Sequence, residues 1–314
     1  MNRRLHSASS RAPAPLLVLV GIVSVQVGNA WADTLFGHIG AGGAGFLRLA
    51  WAMVVLLLAY RPRFRGRGRD QWQAALTLGV VLAAMNLSFY HAIAHLPLGI
   101  AVTVEFVGPL GVAVAHSRRP RDLAWVLLAA VGIVALAHGS GGPISALGLL
   151  LAAVAGIFWG IYILLQARLG RVFADGSGLA LAMLAAGLVA VPDGVVEGGG
   201  ALLHPAVLLI GLGVGLLSSV IPYSVELTVL RRIDPGVFGV LMSLEPAAAA
   251  IAGVVILGQG LSFREIIGIA LVSVASLGAS LRPGPKARSG GDLSPTVAPE
   301  DRAQAPEEIG HLAT

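Results

Sequence analysis

Residues 86–114 read NLSFYHAIAHLPLGIAVTVEFVGPLGVAV, and residues 223–253 read YSVELTVLRRIDPGVFGVLMSLEPAAAAIAG. Asn86 is followed 13 residues later by Gly99 and 10 after that by Pro109; Tyr223 is followed 13 later by Gly236 and 10 after that by Pro246. Each stretch gives an apolar helix, a tight turn of Pro and Gly, and a second helix that carries a glutamate, Glu105 or Glu245, just before a mid-helix proline. The offset of 137 residues is close to half of a 314-residue chain, so the text predicts an internal repeat.

Working outward, 56% of the residues are hydrophobic and 12% charged, against about 25% charged in an average soluble domain. Apolar runs of the roughly 20 residues that a bilayer span needs recur between short polar breaks. The expected fold is an all-α integral membrane protein of ten transmembrane helices, at 15–34, 41–60, 72–95, 97–115, 123–138, 145–165, 177–193, 205–230, 236–257 and 265–282. An outer-membrane barrel is excluded, because it would show ~10-residue alternating strands in place of unbroken runs. Five spans per half is an odd number, so the second copy enters the membrane from the opposite side. Such an inverted repeat places a solute site near the midplane between the halves. The expected domains are an N-tail at 1–14, a first repeat at 15–140, a second at 141–282 and a polar tail at 283–314.

Basic residues set the orientation, since cytoplasmic loops carry the excess of Lys and Arg. With the N-terminus inside, 19 of the 21 basic residues fall on cytoplasmic segments, including Arg61, Arg63, Arg65, Arg67 and Arg69 in one loop. Both termini are therefore expected in the cytoplasm. The first segment imitates a secretory signal, with Arg3, Arg4 and Arg11, an apolar run from Leu16 and Ala30-Trp31-Ala32. Cleavage is not expected, because Gln26, Asn29 and Trp31 lie beside the apparent cut and losing this span would unbalance the repeat. The tail PGPKARSGGDLSPTVAPEDRAQAPEEIGHLAT, with five prolines, reads as disordered. A net charge of +5 without a basic face interleaved with aromatics gives no nucleic-acid footprint. Zero cysteines exclude disulfides and thiolate chemistry.

Ionisable side chains deep in a bilayer normally face a cavity or a partner. At 1.5 Å per residue, Glu105 lies about 12 Å into span 4 and Glu245 about 13 Å into span 9, from opposite sides. Pro109 and Pro246 loosen the helices beside them, and Gly99 and Gly236 mark the turns before them, so these four are the candidate break or gating positions. A carboxyl in low dielectric suits a proton-coupling site, and it could equally pair with a substrate ammonium. Arg48 in span 2 could bind a substrate carboxylate through its planar fork, or form an ion pair with Asp33 or a glutamate. Asn86, Tyr90, Tyr223 and Glu226 could hydrogen-bond a polar solute or join helices. His91 and His95 have the spacing of a metal pair, but no third ligand is apparent in the sequence, so no metal is expected. Gly156 with Gly160, and Gly211 with Gly215, permit close helix approach. No zinc-protease, P-loop or nucleophile-elbow motif occurs, so neither an enzyme nor a cofactor is expected, and transport would be secondary.

PLGIAVTVEFVGPLGVAV with the SRRP at 117–120, GIFWGIYIL of span 6, IPYSVELTVLRRIDPGVFGVLMSLEPAAAAIAG and the FLRLA around Arg48 carry a resemblance to the drug/metabolite transporter superfamily, EamA family. Within it they are similar to the inner-membrane exporters of threonine and homoserine. The likeness spans about 15 to 282. It implies two EamA repeats and efflux of small neutral amino acids driven by an ion gradient, with the substrate, the proton gradient and membrane lipid as partners. It brings no agreed set of binding residues, so Glu105, Glu245 and Arg48 rest on physical grounds. Export of drugs or other metabolites is the alternative, followed by an intramembrane enzyme or a sensor without flux. An inverted repeat completes a path within one chain, so no oligomer is required.

Overall fold

The computed structural model describes residues 13–115, 123–137, 145–173, 175–229 and 235–280, with no strand among the described residues. The N-tail before residue 13, the proline-rich tail, and the segments carrying Arg118, Arg119, Arg121, Arg231 and Arg232 lie outside them. In order come α1 (Ala14–Asp33), α2 (Phe36–Tyr60), α3 (Arg69–Ile93), a short pair α4 (Leu98–Glu105) and α5 (Val107–Ala115), and α6 (Leu123–Ala137). There follow α7 (Ala146–Val172), α8 (Ser177–Gly198), a 3-10 turn (Gly199–Leu203), α9 (Pro205–Gly215), a π turn (Leu216–Val220) and α10 (Ile221–Val229). A second short pair, α11 (Pro235–Met242) and α12 (Glu245–Leu257), precedes α13 (Phe263–Ser280).

Among the described residues, eight helical stretches are long and apolar enough to cross a membrane, and two shorter apolar ones run over Leu98–Val112 and Leu123–Leu136. Helices suit lipid because every backbone group within them is satisfied internally. Large apolar side chains such as Val196, Leu209, Val255 and Phe263 stand exposed on the outer faces, a surface that lipid solvates and water would penalise.

The two short pairs share one cause. A proline ring clashes with the carbonyl four residues before it. Four before Pro109 is Glu105, the last residue of α4; four before Pro246 is Met242, the last residue of α11. The bends therefore fall one turn ahead of the prolines, at Phe106 and at Ser243 and Leu244, rather than at the prolines themselves. Pro192 acts differently: it lies inside α8, which runs on to Gly198 past the expected end at 193. A proline removes one hydrogen bond, and the polar residues beyond it, Asp193 and Glu197, find partners on neighbouring helices.

Packing joins the halves element by element. α2 lies along α8, α4 on α12 and α6 on α13, while α3 packs on α7 and α1 on α10. Small residues allow the closest of these approaches. A methyl at Gly99 would sit 2.7 Å from Ala250 Cα, where α4 meets α12, and Gly211 and Gly215 let α9 settle on Leu47 and Trp51 of α2. Gly156 and Gly160 put α7 against the α4/α5 break, with Gly156 facing the Glu105 carbonyl. That carbonyl is the one Pro109 cannot serve.

Polar contacts fasten several helix ends. At the start of α3, Arg67 donates to Ser177 Oγ (3.1 Å) and lies over the Phe173 ring (4.9 Å), while Gln71 Nε2 donates to the Val172 carbonyl (3.1 Å). α13 opens with a capping box: Glu265 accepts from Ser262 N–H, and Ser262 Oγ accepts from Glu265 N–H.

Candidate functional site

Inside the helices lies a cavity of about 110 Å³. Its polar wall holds Glu105 at the end of α4, Glu245 at the start of α12, Glu226 and Tyr223 of α10, Arg48 of α2 and Asn86 of α3. Six of the polar residues singled out in the sequence thus meet in one place, brought there by the two breaks and by the bend of the π turn. Val18, Val102, Trp159 and Phe238 are among the apolar residues that close it. Pro109, Pro246 and Gly99 stand outside the lining.

Arg48 is only 5% exposed and donates from all three of its nitrogens. Nε reaches Ser219 Oγ (2.9 Å), one terminal nitrogen reaches Asn29 Oδ1 (3.1 Å), and the other reaches the Ser218 carbonyl (2.7 Å). Ser218 and Ser219 belong to the π turn, so the guanidinium ties α2 to the irregular stretch of the α9/α10 rod. Such turns loosen backbone hydrogen bonding and are frequent at functional sites. The ion pair with Asp33 or a glutamate is not formed among the described residues. Tyr90 lies behind the arginine, its ring centroid 5.4 Å from the guanidinium carbon, and does not reach the cavity.

Gln26 Nε2 donates to Glu245 Oε1 at 3.4 Å, and Tyr162 donates its phenol to Glu226 Oε2 at 3.4 Å. Asn86 turns its amide back to the Leu82 carbonyl (2.8 Å) while still lining the cavity. Gln26, Asn29, Tyr162 and Ser218 are site residues that sequence reasoning passes over. The signal for the first two was present, as amides inside an otherwise apolar first span.

The threonine/homoserine exporters RhtA of Escherichia coli (strain K12) and Salmonella typhimurium (strain SL1344) are each 39% identical to this chain over 268 residues, covering 85% of it and 90% of their own length. Residues 146–281 match the family model of EamA-like transporters. The chain belongs to the EamA-like transporter family. A solved structure, described only as the crystal structure of a protein, shares the fold of this EamA-like chain at a TM-score of 0.60 and 20% identity, covering 86% of this chain and 98% of its own. With its apolar helices, the EamA-like chain is a multi-pass membrane protein.

A second polar group of this family member lies away from the cavity, at the end of α3. His91 Nε2 is 3.0 Å from Asp193 Oδ2, and Nδ1 is 3.8 Å from Glu197 Oε1. Glu197 also accepts the Gly42 N–H at 2.7 Å. α2 makes room by kinking at Gly40, whose φ of 69° suits glycine, and a side chain there would collide with Glu197. His95 turns instead to the His91 carbonyl (2.8 Å), so the two histidines do not face a common point. The ligand-type atoms of His91, Asp193 and Glu197 lie within 4.8 Å of one another, and the carboxylates come from a helix about a hundred residues away in the sequence. The hydrogen bonds His91–Asp193 and Gly42–Glu197 hold the arrangement together.

Proposed function

We propose that this chain exports small neutral amino acids of the threonine and homoserine kind across the inner membrane, as a secondary transporter coupled to the proton gradient. The observation that carries the reading is the cavity at which two broken helices present Glu105 and Glu245 beside Arg48. Its volume of about 110 Å³ suits a solute the size of a small amino acid, since a water position takes about 10–15 Å³ on this measure. The two relatives bearing the name of threonine/homoserine exporter supply the substrate class.

The architecture proposed is ten spans in two inverted repeats, 15–140 and 141–282, with both termini cytoplasmic. Support comes from the paired breaks before Pro109 and Pro246, and from the way α2, α4 and α6 pack on α8, α12 and α13. In span order these are 2 with 7, 4 with 9 and 5 with 10, the pairing a two-fold relation produces. In alternating access the cavity opens to one side and then to the other, hinging at the breaks at Phe106 and at Ser243 and Leu244, which follow Gly99 and Gly236 in sequence. A proton exchanging at Glu105 or Glu245 couples efflux to the gradient.

The test is efflux of preloaded radiolabelled threonine and homoserine from cells carrying the chain or an empty vector, with and without an uncoupler. Excess efflux that the uncoupler abolishes, and that Glu105→Gln or Glu245→Gln impairs in a folded protein, is the expected result. No excess with the protein present in the membrane would move the substrate to drugs or other metabolites. Full activity in both variants would remove the glutamates from the mechanism.

A further inference from the structure

We infer that recognition in this cavity is led by the ammonium group of the solute, and that Arg48 is a strut of the protein rather than the partner of a substrate carboxylate. The inference rests on reading this cavity as the transport site.

Among the described residues, the one guanidinium in the wall is already engaged. Each of its three nitrogens donates to a protein acceptor, Ser219, Asn29 or the Ser218 carbonyl, and its face rests on Tyr90. Bidentate capture of a carboxylate needs the fork free and turned toward the ligand. Turning it would leave buried acceptors unpaired, which a protein interior resists. A helix N-terminus is the other usual home for an anion. Here α12 begins with Glu245 itself, whose own side chain occupies that end of the dipole.

Acceptors, by contrast, are in surplus. Among the described residues three carboxylates line the cavity, Glu105, Glu226 and Glu245, against the single arginine. Gln26 spends its amide donor on Glu245 Oε1, and both remaining oxygens, Gln26 Oε1 and Glu245 Oε2, are buried with no hydrogen-bond partner. No hydrogen bond to the Glu105 carboxylate is formed among the described residues. The unpaired oxygens Gln26 Oε1 and Glu245 Oε2 call for a donor, and an ammonium offers three N–H donors and no acceptor. A solute that keeps its ammonium but has lost its carboxylate, such as an amino-acid amide or a 2-amino alcohol, fits the same wall. A solute that keeps the carboxylate and has an acylated nitrogen does not.

The experiment uses the purified full chain in detergent, with thermal unfolding followed by tryptophan fluorescence in the presence of threonine, threoninamide or N-acetylthreonine. Threoninamide is expected to stabilise with an apparent affinity comparable to that of threonine. N-acetylthreonine is expected to be at least about tenfold weaker, the ratio that corresponds to losing one charge-assisted contact. Stabilisation by N-acetylthreonine equal to that by threonine overturns the inference, as does a threoninamide response that is absent. Flux is measured separately: binding of threoninamide in a protein that exports neither threonine nor homoserine would defeat the exporter reading and leave ammonium recognition standing.

Discussion

Gly156→Ala tests whether the close crossing of α7 holds the α4/α5 break in place. The added methyl would lie 2.6 Å from the Glu105 carbonyl oxygen, 3.2 Å from its carbon and 3.3 Å from its Cα. Carbon to carbonyl-oxygen contacts settle at about 3.3–3.6 Å, so the helices must part by roughly 0.7 Å or more. The atoms in the way are backbone, and no rotamer change relieves them. Overpacking of this kind costs about 1–3 kcal/mol, or about 5- to 150-fold in an equilibrium, and the displacement is delivered to the residue that carries the cavity carboxyl. Gly170→Ala on the same helix is the control, because a methyl there meets nothing within 4 Å and alanine favours a helix by roughly 0.5–1 kcal/mol. Melting temperature in detergent and threonine efflux from cells are read for both variants. Gly156→Ala should melt earlier and export more slowly, with Gly170→Ala level with the parent. If both variants behave like the parent, the crossing does not position Glu105 and the account of the break is wrong.

Arg48→Lys should lower thermal stability, because an ammonium cannot hold Ser219, Asn29 and the Ser218 carbonyl in the fixed directions of a guanidinium. An unmatched buried acceptor costs about 1–3 kcal/mol, and an unchanged melting curve would show that the π turn does not depend on this side chain. Asp175 caps the start of α8, accepting from Ser177 Oγ (2.6 Å) and Ser177 N–H (3.1 Å), and the Ser177 hydroxyl holds its carboxyl below the usual range. A carboxyl depressed in the folded state stabilises fully above its unfolded pKa, about 4 for aspartate, and that contribution disappears as the pH falls through the folded value. Asp175→Asn should therefore flatten the acid limb of a stability profile taken between about pH 6 and pH 3; coincident limbs for variant and parent would discard the cap.

The spans were legible because lipid leaves so few options: apolar runs of the right length become helices, and their ends fall close to those drawn at 15–34, 72–95 and 265–282 against Ala14–Asp33, Arg69–Ile93 and Phe263–Ser280. The prolines announced two loosened stretches beside Glu105 and Glu245, and the bends fall there, at Phe106 and at Ser243 and Leu244, since the ring acts on a carbonyl behind it. The span drawn to 193 runs on through Pro192 to Gly198, because one lost hydrogen bond is little against a helix whose far turn is anchored by His91 and Gly42. Six polar candidates converged on one cavity, yet Tyr90 fell behind Arg48, and nothing in spacing alone tells which face of α3 each residue takes. The partners of Arg48 were not legible at all: LLSSV carries no mark of a π turn, and Asn29 is joined to Arg48 only by the folded geometry. Likewise the carboxylates beside His91 come from a helix that sequence distance gives no reason to pair with it.

The polar ties on α2, α3, α7 and α8 have a consequence for how the protein breathes. One set lies where α3 begins, through Arg67 and Gln71, and the other where it ends, through His91 and the Gly42 contact of Glu197. A group of helices laced at both rims resists splaying at either. Amide exchange is slowest where opening demands the whole structure and fastest where a short segment can open by itself. The laced helices are then the chassis, last to exchange, and the two interrupted rods α4/α5 and α11/α12 are the yielding wall that can reshape the cavity while the chassis stays whole.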